Sequence, residues 1–248
     1  MSSDLLEQFR ALLTESRHAV VFTGAGISTE SGIPDFRGPG GVWTQNKPIY
    51  FQDYMASEEA RREAWRRKFN IDQTMTDAKP NAGHMAVAQL VANGPVKKVV
   101  TQNIDGLHQA SGIPETQVIE LHGNTTYATC LDCQARYELA PIKKAFQKDE
   151  TLPMCESCGG IVKTATISFG QPMPERQMME AQQDSIDCDL FIAIGSSLVV
   201  YPAAALLPLA KENGAKLVIL NRDETDFDGL ANLSVRAEIG DFLSNLLN

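Results

Sequence analysis

Four of the five cysteines fall in two Cys-x-x-Cys pairs, Cys130/Cys133 and Cys155/Cys158, with 21 residues between the pairs and Gly159-Gly160 after the second. Two residues between cysteines let one tight knuckle aim both thiolates at a single ion, and a second knuckle completes a tetrahedron, as in a zinc ribbon. Four thiolates leave no coordination position for water or substrate, so Zn2+ here is expected to be structural. A redox-active Cys-x-x-Cys is the competing reading; redox motifs rarely come as a matched pair of pairs. The fifth cysteine, Cys188, reads as a small buried residue.

A second concentration of chemistry begins at Gly24. The stretch Gly24-Ala25-Gly26-Ile27-Ser28-Thr29-Glu30-Ser31-Gly32-Ile33-Pro34-Asp35-Phe36-Arg37-Gly38 follows directly on Ala19-Val20-Val21-Phe22, an apolar run with the look of a buried parallel strand. Glycines at the carboxyl end of such a strand permit a tight turn and are expected to bring backbone N–H groups against phosphate oxygens. A dehydrogenase fingerprint needs a third glycine at position 29, where Thr29 stands, and no second strand with an acidic ribose ligand follows at the usual distance. Hydride transfer is therefore disfavoured. The polar loop that runs on through Asp35, Phe36 and Arg37 is long enough to cover a cofactor.

Further polar clusters close other predicted strands: Gln102-Asn103-Ile104-Asp105 after Val96 to Thr101, His122-Gly123 after Val118 to Leu121, Gly195-Ser196-Ser197 after Leu190 to Ile194, and Asn221-Arg222 after Lys216 to Leu220. Amide and carboxylate groups at such a place suit an amide-bearing ligand, and a cofactor lying along the carboxyl edge of one sheet accounts for all four clusters. Taken alone, His122 reads equally as a structural histidine at a strand end, and Phe36, Asp35 and Arg37 as loop residues.

The elements that position these residues alternate. Leu5, Leu6, Phe9, Leu12 and Leu13 recur at helical spacing, and a helix starting at Pro80 or Asn81 ends at Asn93-Gly94-Pro95. With a further β-type run at Ala165 to Phe169, this is the pattern of an α/β, doubly wound parallel sheet. Two stretches break the alternation: 48–79, with Glu58/Arg62 and Glu63/Arg67 at i,i+4 spacing on what reads as a solvated helix face, and the cysteine segment. The expected organisation is a large domain of 1–47, 80–126 and 164–248 and a small helical and zinc-binding lobe of 48–79 and 127–163. His84 and His108 are assigned to helices, and His18 to the entry of the first strand.

Composition narrows the function. With 43% apolar residues in 248 the chain fills a real core, while a net charge of −9 argues against a nucleic-acid partner. No basic, apolar signal segment opens the chain, and the uncharged run Leu190 to Ala210 is interrupted by Gly195, Pro202 and Pro208, so neither export nor a membrane partner is expected. Paired metal-binding cysteines suit a reducing cytoplasm.

Together, the Gly24 to Gly38 loop, Thr101-Gln102-Asn103-Ile104-Asp105, His122-Gly123, the cysteine quartet and Gly195-Ser196-Ser197 resemble, in order, the motifs of the sirtuins, the NAD-dependent protein-lysine deacylases, from Gly24 to Asn221. The resemblance implies a Rossmann-like domain, a zinc lobe, and NAD+ and acyl-lysine proteins or peptides meeting in the cleft between them. It implies that Gly24, Ala25, Gly26, Ser196, Ser197 and Asn221 hold the phosphates and the adenosine end of NAD, that Phe36 and Arg37 belong to the flexible cofactor loop, that Asn103 and Asp105 form the nicotinamide pocket, and that Ser28, Gln102, Ile104, Gly195 and Arg222 also bind the cofactor. Phe169, Gly170 and Val200 would clamp the peptide as an added strand. His122 is implied as the base that takes a proton from the ribose diol, with Asn103 beside it.

The chain departs from the family at Lys163-Thr164, where Arg-Pro is common, and at Gln171, which replaces a glutamate and bears on peptide preference. Trp65-Arg66-Arg67-Lys68 stands near the place where succinyl- and malonyl-selective members carry Tyr-x-x-Arg, so neutral acyl groups, acetyl first, are expected. NAD cleavage or ADP-ribosyl transfer is the alternative within enzymes, and a non-catalytic NAD-sensing module the alternative outside them. Oligomeric state is left open by these residues.

Overall fold

The computed structural model describes residues 3–35 and 47–247. Its main sheet is parallel and contains β1 (Ala19–Thr23), β2 (Val96–Thr101), β3 (Val118–Glu120), β7 (Leu190–Ile194), β8 (Lys216–Leu220) and β9 (Leu233–Val235) in the order β3-β2-β1-β7-β8-β9. Counted by the sheet's own strands this is 3-2-1-4-5-6, the Rossmann order, and the direction of winding reverses between β1 and β7. The register pairs Ala19 with Leu190 and Thr23 with Ile194.

Both faces of this sheet are covered, which is why its strands read as unbroken apolar runs. Val21, Val99, Ile192 and Val218 pack with Phe9 of α1 (Ser3–Glu15), Val87 of α4 (Ala82–Asn93) and Phe242 of α9 (Ile239–Leu247). Val20, Val100, Phe191 and Ile219 pack on the other face with Ala181 of α7 (Glu175–Asp187) and Leu207 of α8 (Leu206–Glu212). Helix α4 starts where expected. Asn81 accepts the Gly83 and His84 N–H groups at 2.9 and 3.3 Å, and His84 returns the bond to the Asn81 N–H.

A second, antiparallel sheet joins β4 (Gly123–Cys130) to β5 (Arg136–Glu138) and β6 (Val162–Thr166). Its own apolar cluster contains Trp65, Ala128, Phe146 and Val162, with Trp65 stacked on Phe69 at 5.3 Å. Trp65 and Phe69 come from α3 (Glu58–Asp77), which follows α2 (Phe51–Ala56), and Phe146 from α6 (Leu139–Asp149). The solvated face of α3 is ion-paired as its spacing predicts, Arg62 with Glu58 at 2.9 Å and Arg67 with Glu63 at 2.7 Å.

Two expectations need correction. The run Ala165 to Phe169 is no strand of the main sheet: β6 ends at Thr166 and pairs antiparallel with β4, and Ile167 to Phe169 continue as loop. Strand β3 stops at Glu120, one residue short of Leu121. The edge strand β9, of three residues, was not anticipated. Among the described residues no helix is long and apolar enough to cross a membrane.

Candidate active site and metal centre

The turn after β1 and the turn after β7 meet where the sheet reverses. Gly26 N–H donates to the Gly195 carbonyl at 2.8 Å and Gly24 N–H to the Ile194 carbonyl at 3.1 Å. The backbones are so close that a Cβ on Gly24 would lie 2.7 Å from the Gly195 oxygen, and one on Gly195, whose φ is +63°, 2.4 Å from the Ile27 nitrogen. The glycines thus serve close approach of two loops. Contrary to the sequence expectation, the Gly24 and Gly26 N–H groups bind protein carbonyls, because the tight turn directs them across the strand gap.

A cavity of ≈ 580 Å³ opens on this junction. One end is lined by Gly24, Ala25, Gly26, Gly195, Ser196 and Ser197, extending to Asn221 and Arg222 at the end of β8. The other end reaches Gln102, Asn103, Ile104 and His122, then Phe169, Gly170 and Val200. Most of the residues expected from sequence are therefore brought together on one wall. Ser28 and Asp105 are absent from that wall and lie behind it, and Phe36 and Arg37 fall outside the described residues. Thr166, Ile167 and Tyr201 also line the cavity; their adjacency in sequence to Phe169 and Val200 was the only signal.

Behind the wall the polar groups are linked to one another, with His108 Nδ1 left buried without a hydrogen-bond partner among the described residues. The Ser28 hydroxyl donates to Asp105 Oδ2 at 2.7 Å and accepts from Asn103 Nδ2 at 3.2 Å. His84 Nδ1 accepts from Asn81, so its proton sits on Nε2, which donates to Ser28 Oγ at 3.4 Å. Asp105 Oδ1 caps the Leu107 N–H at 2.9 Å, at the start of the short helix α5 (Leu107–Ala110). His108, on α5, meets Thr23 Oγ1 at 2.8 Å. Burial, as the main cause, pulls His84 down to about 4 and His108 to about 3. Both rings are neutral near pH 7. Sequence reading left His84 to its helix; only the fold brings it to Ser28.

The His122 ring places Nδ1 3.0 Å from the Gln102 carbonyl. A carbonyl only accepts, so Nδ1 holds the proton and the neutral ring keeps its lone pair on Nε2. Gln102 in turn donates from Nε2 to Ser196 Oγ at 2.8 Å, tying the β2 end to the β7 turn. The arrangement can place a neutral imidazole base beside a ligand spanning the switch point.

The cysteine sulfurs all lie within 4.8 Å of one another, with Cys130–Cys158 and Cys133–Cys155 at 3.5 Å. Four sulfurs about 2.3 Å from a common ion stand roughly 3.8 Å apart in a tetrahedron, so the set fits Zn2+. Tyr137 donates its hydroxyl to Cys155 Sγ at 3.1 Å and, as the main cause, draws that thiol down to about 6. Gly160 must lack a side chain, since a Cβ would lie 2.9 Å from Cys130 Sγ.

The Sir2 family model matches residues 24–202. NAD-dependent protein deacetylase 1 of Bradyrhizobium diazoefficiens is 54% identical over 246 residues, covering 98% of this chain and 96% of its own. The NAD-dependent protein deacetylase of Rhodopseudomonas palustris is 53% identical, with 96% and 94% covered. A solved Sir2 structure with p53 peptide and NAD+ superimposes with a TM-score of 0.87 at 39% identity, covering 98% of this chain and 97% of that one. Sir2Tm bound to a propionylated peptide gives 0.84 at 37% identity, with the same shares covered.

Proposed function

The chain belongs to the Sir2 family, and from that premise we propose that it is an NAD-dependent protein-lysine deacetylase that transfers the acyl group to ADP-ribose and releases nicotinamide. The observation that carries this reading is His122, pinned through Nδ1 with its basic nitrogen left on Nε2, in a cavity continuous with the β1/β7 junction and with Phe169 and Val200.

When bound, NAD supplies a ribose carbon made electrophilic by loss of nicotinamide, together with the diol that receives the acyl group. The residues of this chain bind and orient. Gly24, Ala25, Gly26, Ser196, Ser197, Asn221 and Arg222 are read as the diphosphate and adenosine end, and Gln102, Asn103 and Ile104 as the nicotinamide end. Ser28 and Asp105 support that end from behind. Phe36 and Arg37 remain assigned to the covering loop. Phe169, Gly170 and Val200 present the edge on which an acyl-lysine peptide lies. His122 takes the proton from the ribose diol, a task suited to an imidazole near neutral pH.

Neutral acyl groups fit best. Trp65 is 1% exposed inside the small lobe, Arg66 is held by Glu150 at 2.6 Å and Glu59 at 2.8 Å, and Arg67 by Glu63. Neither guanidinium is offered to an acidic acyl chain. Cys130, Cys133, Cys155 and Cys158 are read as holding a structural Zn2+, which supplies a fixed cross-link and no chemistry. The division into a large domain of 1–47, 80–126 and 164–248 and a lobe of 48–79 and 127–163 is supported by the separate core of the second sheet. A cytoplasmic location is supported by thiols kept for metal.

Mass spectrometry of an acetyl-lysine peptide incubated with and without NAD, using wild type and His122→Ala, tests the reading. Free lysine and O-acetyl-ADP-ribose should appear only with NAD, and the variant should lose at least ~100-fold in rate while still binding NAD. NAD consumption without peptide change would replace deacetylation by NAD cleavage.

A further inference from the structure

Lys163 is 4% exposed, and among the described residues no other lysine, arginine, aspartate or glutamate is buried. It sits on β6, in the interior where a cation is costly unless its protons are met. No carboxylate among the described residues pairs with it. Its ammonium donates to the Thr166 carbonyl and, at 3.4 Å, to the Thr164 carbonyl, and stands 5.9 Å from the Tyr54 ring centroid. Burial lowers its pKa to about 8, which leaves the ammonium protonated near neutral pH. An apolar side chain of the same length would fill this space without desolvating a charge, so filling space does not account for a lysine here.

Thr166 is where the second sheet hands the chain to the cavity. The next N–H, of Ile167, donates to the His122 carbonyl at 2.8 Å. Thr166 pairs with Gly123, where a Cβ would fall 1.9 Å from the Ala165 oxygen. The far end of the segment is anchored separately: Phe51 N–H to the Phe169 carbonyl at 2.9 Å, Gln171 N–H to the Ser168 carbonyl at 3.0 Å, and Ser168 N–H to Gln171 Oε1 at 3.1 Å. The near end is held by the Gly123–Thr166 pairing, by the Thr164 and Thr166 hydroxyls at 3.1 Å from one another, by the His122 carbonyl and by Lys163, which alone of these brings a charge to the Thr166 carbonyl. We propose that Lys163 is a positioning residue for substrate: by holding the Thr166 carbonyl it fixes Ile167 to Gly170 in register with His122, in the place where an acyl-lysine peptide lies.

This rests on the deacetylase reading for the identity of the peptide, and the test separates the two. Affinity of an acetyl-lysine peptide in the presence of NAD is measured by fluorescence anisotropy for wild type, Lys163→Met and Lys163→Arg, alongside KM for peptide and for NAD and the melting temperature. Lys163→Met keeps the stem and removes the donors; it should bind peptide about tenfold more weakly, with KM for NAD unchanged and the fold retained. Lys163→Arg should recover the peptide affinity. Lys163→Gln, polar but too short to reach the Thr166 carbonyl, replaces the Met variant if that does not fold. Unchanged peptide affinity in a folded variant lacking the ammonium, or equal losses for peptide and NAD, would overturn the proposal. Wild type that binds peptide without deacetylating it would overturn the deacetylase reading, and Lys163 would still be decided by the affinities.

Discussion

Ser28 shows how much of the site hangs on one hydroxyl. A serine oxygen has one proton and two lone pairs, and all three are engaged, by Asp105, Asn103 and His84. Ser28→Ala leaves the Asp105 carboxylate short of a donor and should cost about 1–3 kcal/mol of stability in urea unfolding. It should also raise KM for NAD more than KM for peptide, because the lost hydroxyl supports Asn103, which is proposed to face the nicotinamide; equal changes would remove Ser28 from that role. The types of Ser28, Asn103 and Asp105 were legible as polar groups at strand ends. Their bonding was not, since no spacing rule joins His84 to Ser28, and a lysine such as Lys163 reads as surface until the fold encloses it.

At the scale of elements, the parallel strands were legible because burial on both faces removes every polar residue from Ala19–Thr23 and Leu190–Ile194 except Thr23 itself. Strand β4 was not: Gly123–Cys130 is rich in threonine, with its apolar positions too few to show a period. Ala165 to Phe169 misled for a related reason, as a short apolar run does not reveal which sheet it joins. The two turns at the sheet reversal make a sharp prediction. Gly24→Ala places a Cβ 2.7 Å from the Gly195 oxygen and 2.8 Å from Ser196 Cβ, so the turns must separate; NAD affinity measured by calorimetry should fall by about tenfold or more, with peptide affinity less affected. The zinc knuckles make another. Three strands and a modest apolar cluster are too little to hold the lobe without the cross-link, so a chelator should release one zinc per chain and abolish peptide binding together with tryptophan signals from the lobe. A metal-free protein with full activity would refute a structural role.

For the molecule as a whole, the two buried neutral histidines set acid tolerance. His84 and His108 have an ordinary value of 6.5 in the unfolded chain and about 4 and about 3 in the native one. Native values below the unfolded ones leave stability intact above pH 6.5 and remove it as pH falls, because the unfolded chain takes up two protons that the native chain refuses. The loss approaches about 1.4 kcal/mol per pH unit for each ring and reaches roughly 4 kcal/mol by about pH 5. Urea midpoints should drop accordingly between neutral and mildly acidic buffer, and a flat profile would show that the rings are protonated in the native state. The strand order carries a last consequence. On the ribosome Gly24 is made early, yet its counterpart Gly195 arrives only after both cysteine knuckles and β6 have emerged. The metal lobe therefore has all its parts while β1 still lacks its neighbour β7. Vectorial synthesis leaves the β1/β7 junction as a late event, completed around a lobe that has already had time to close.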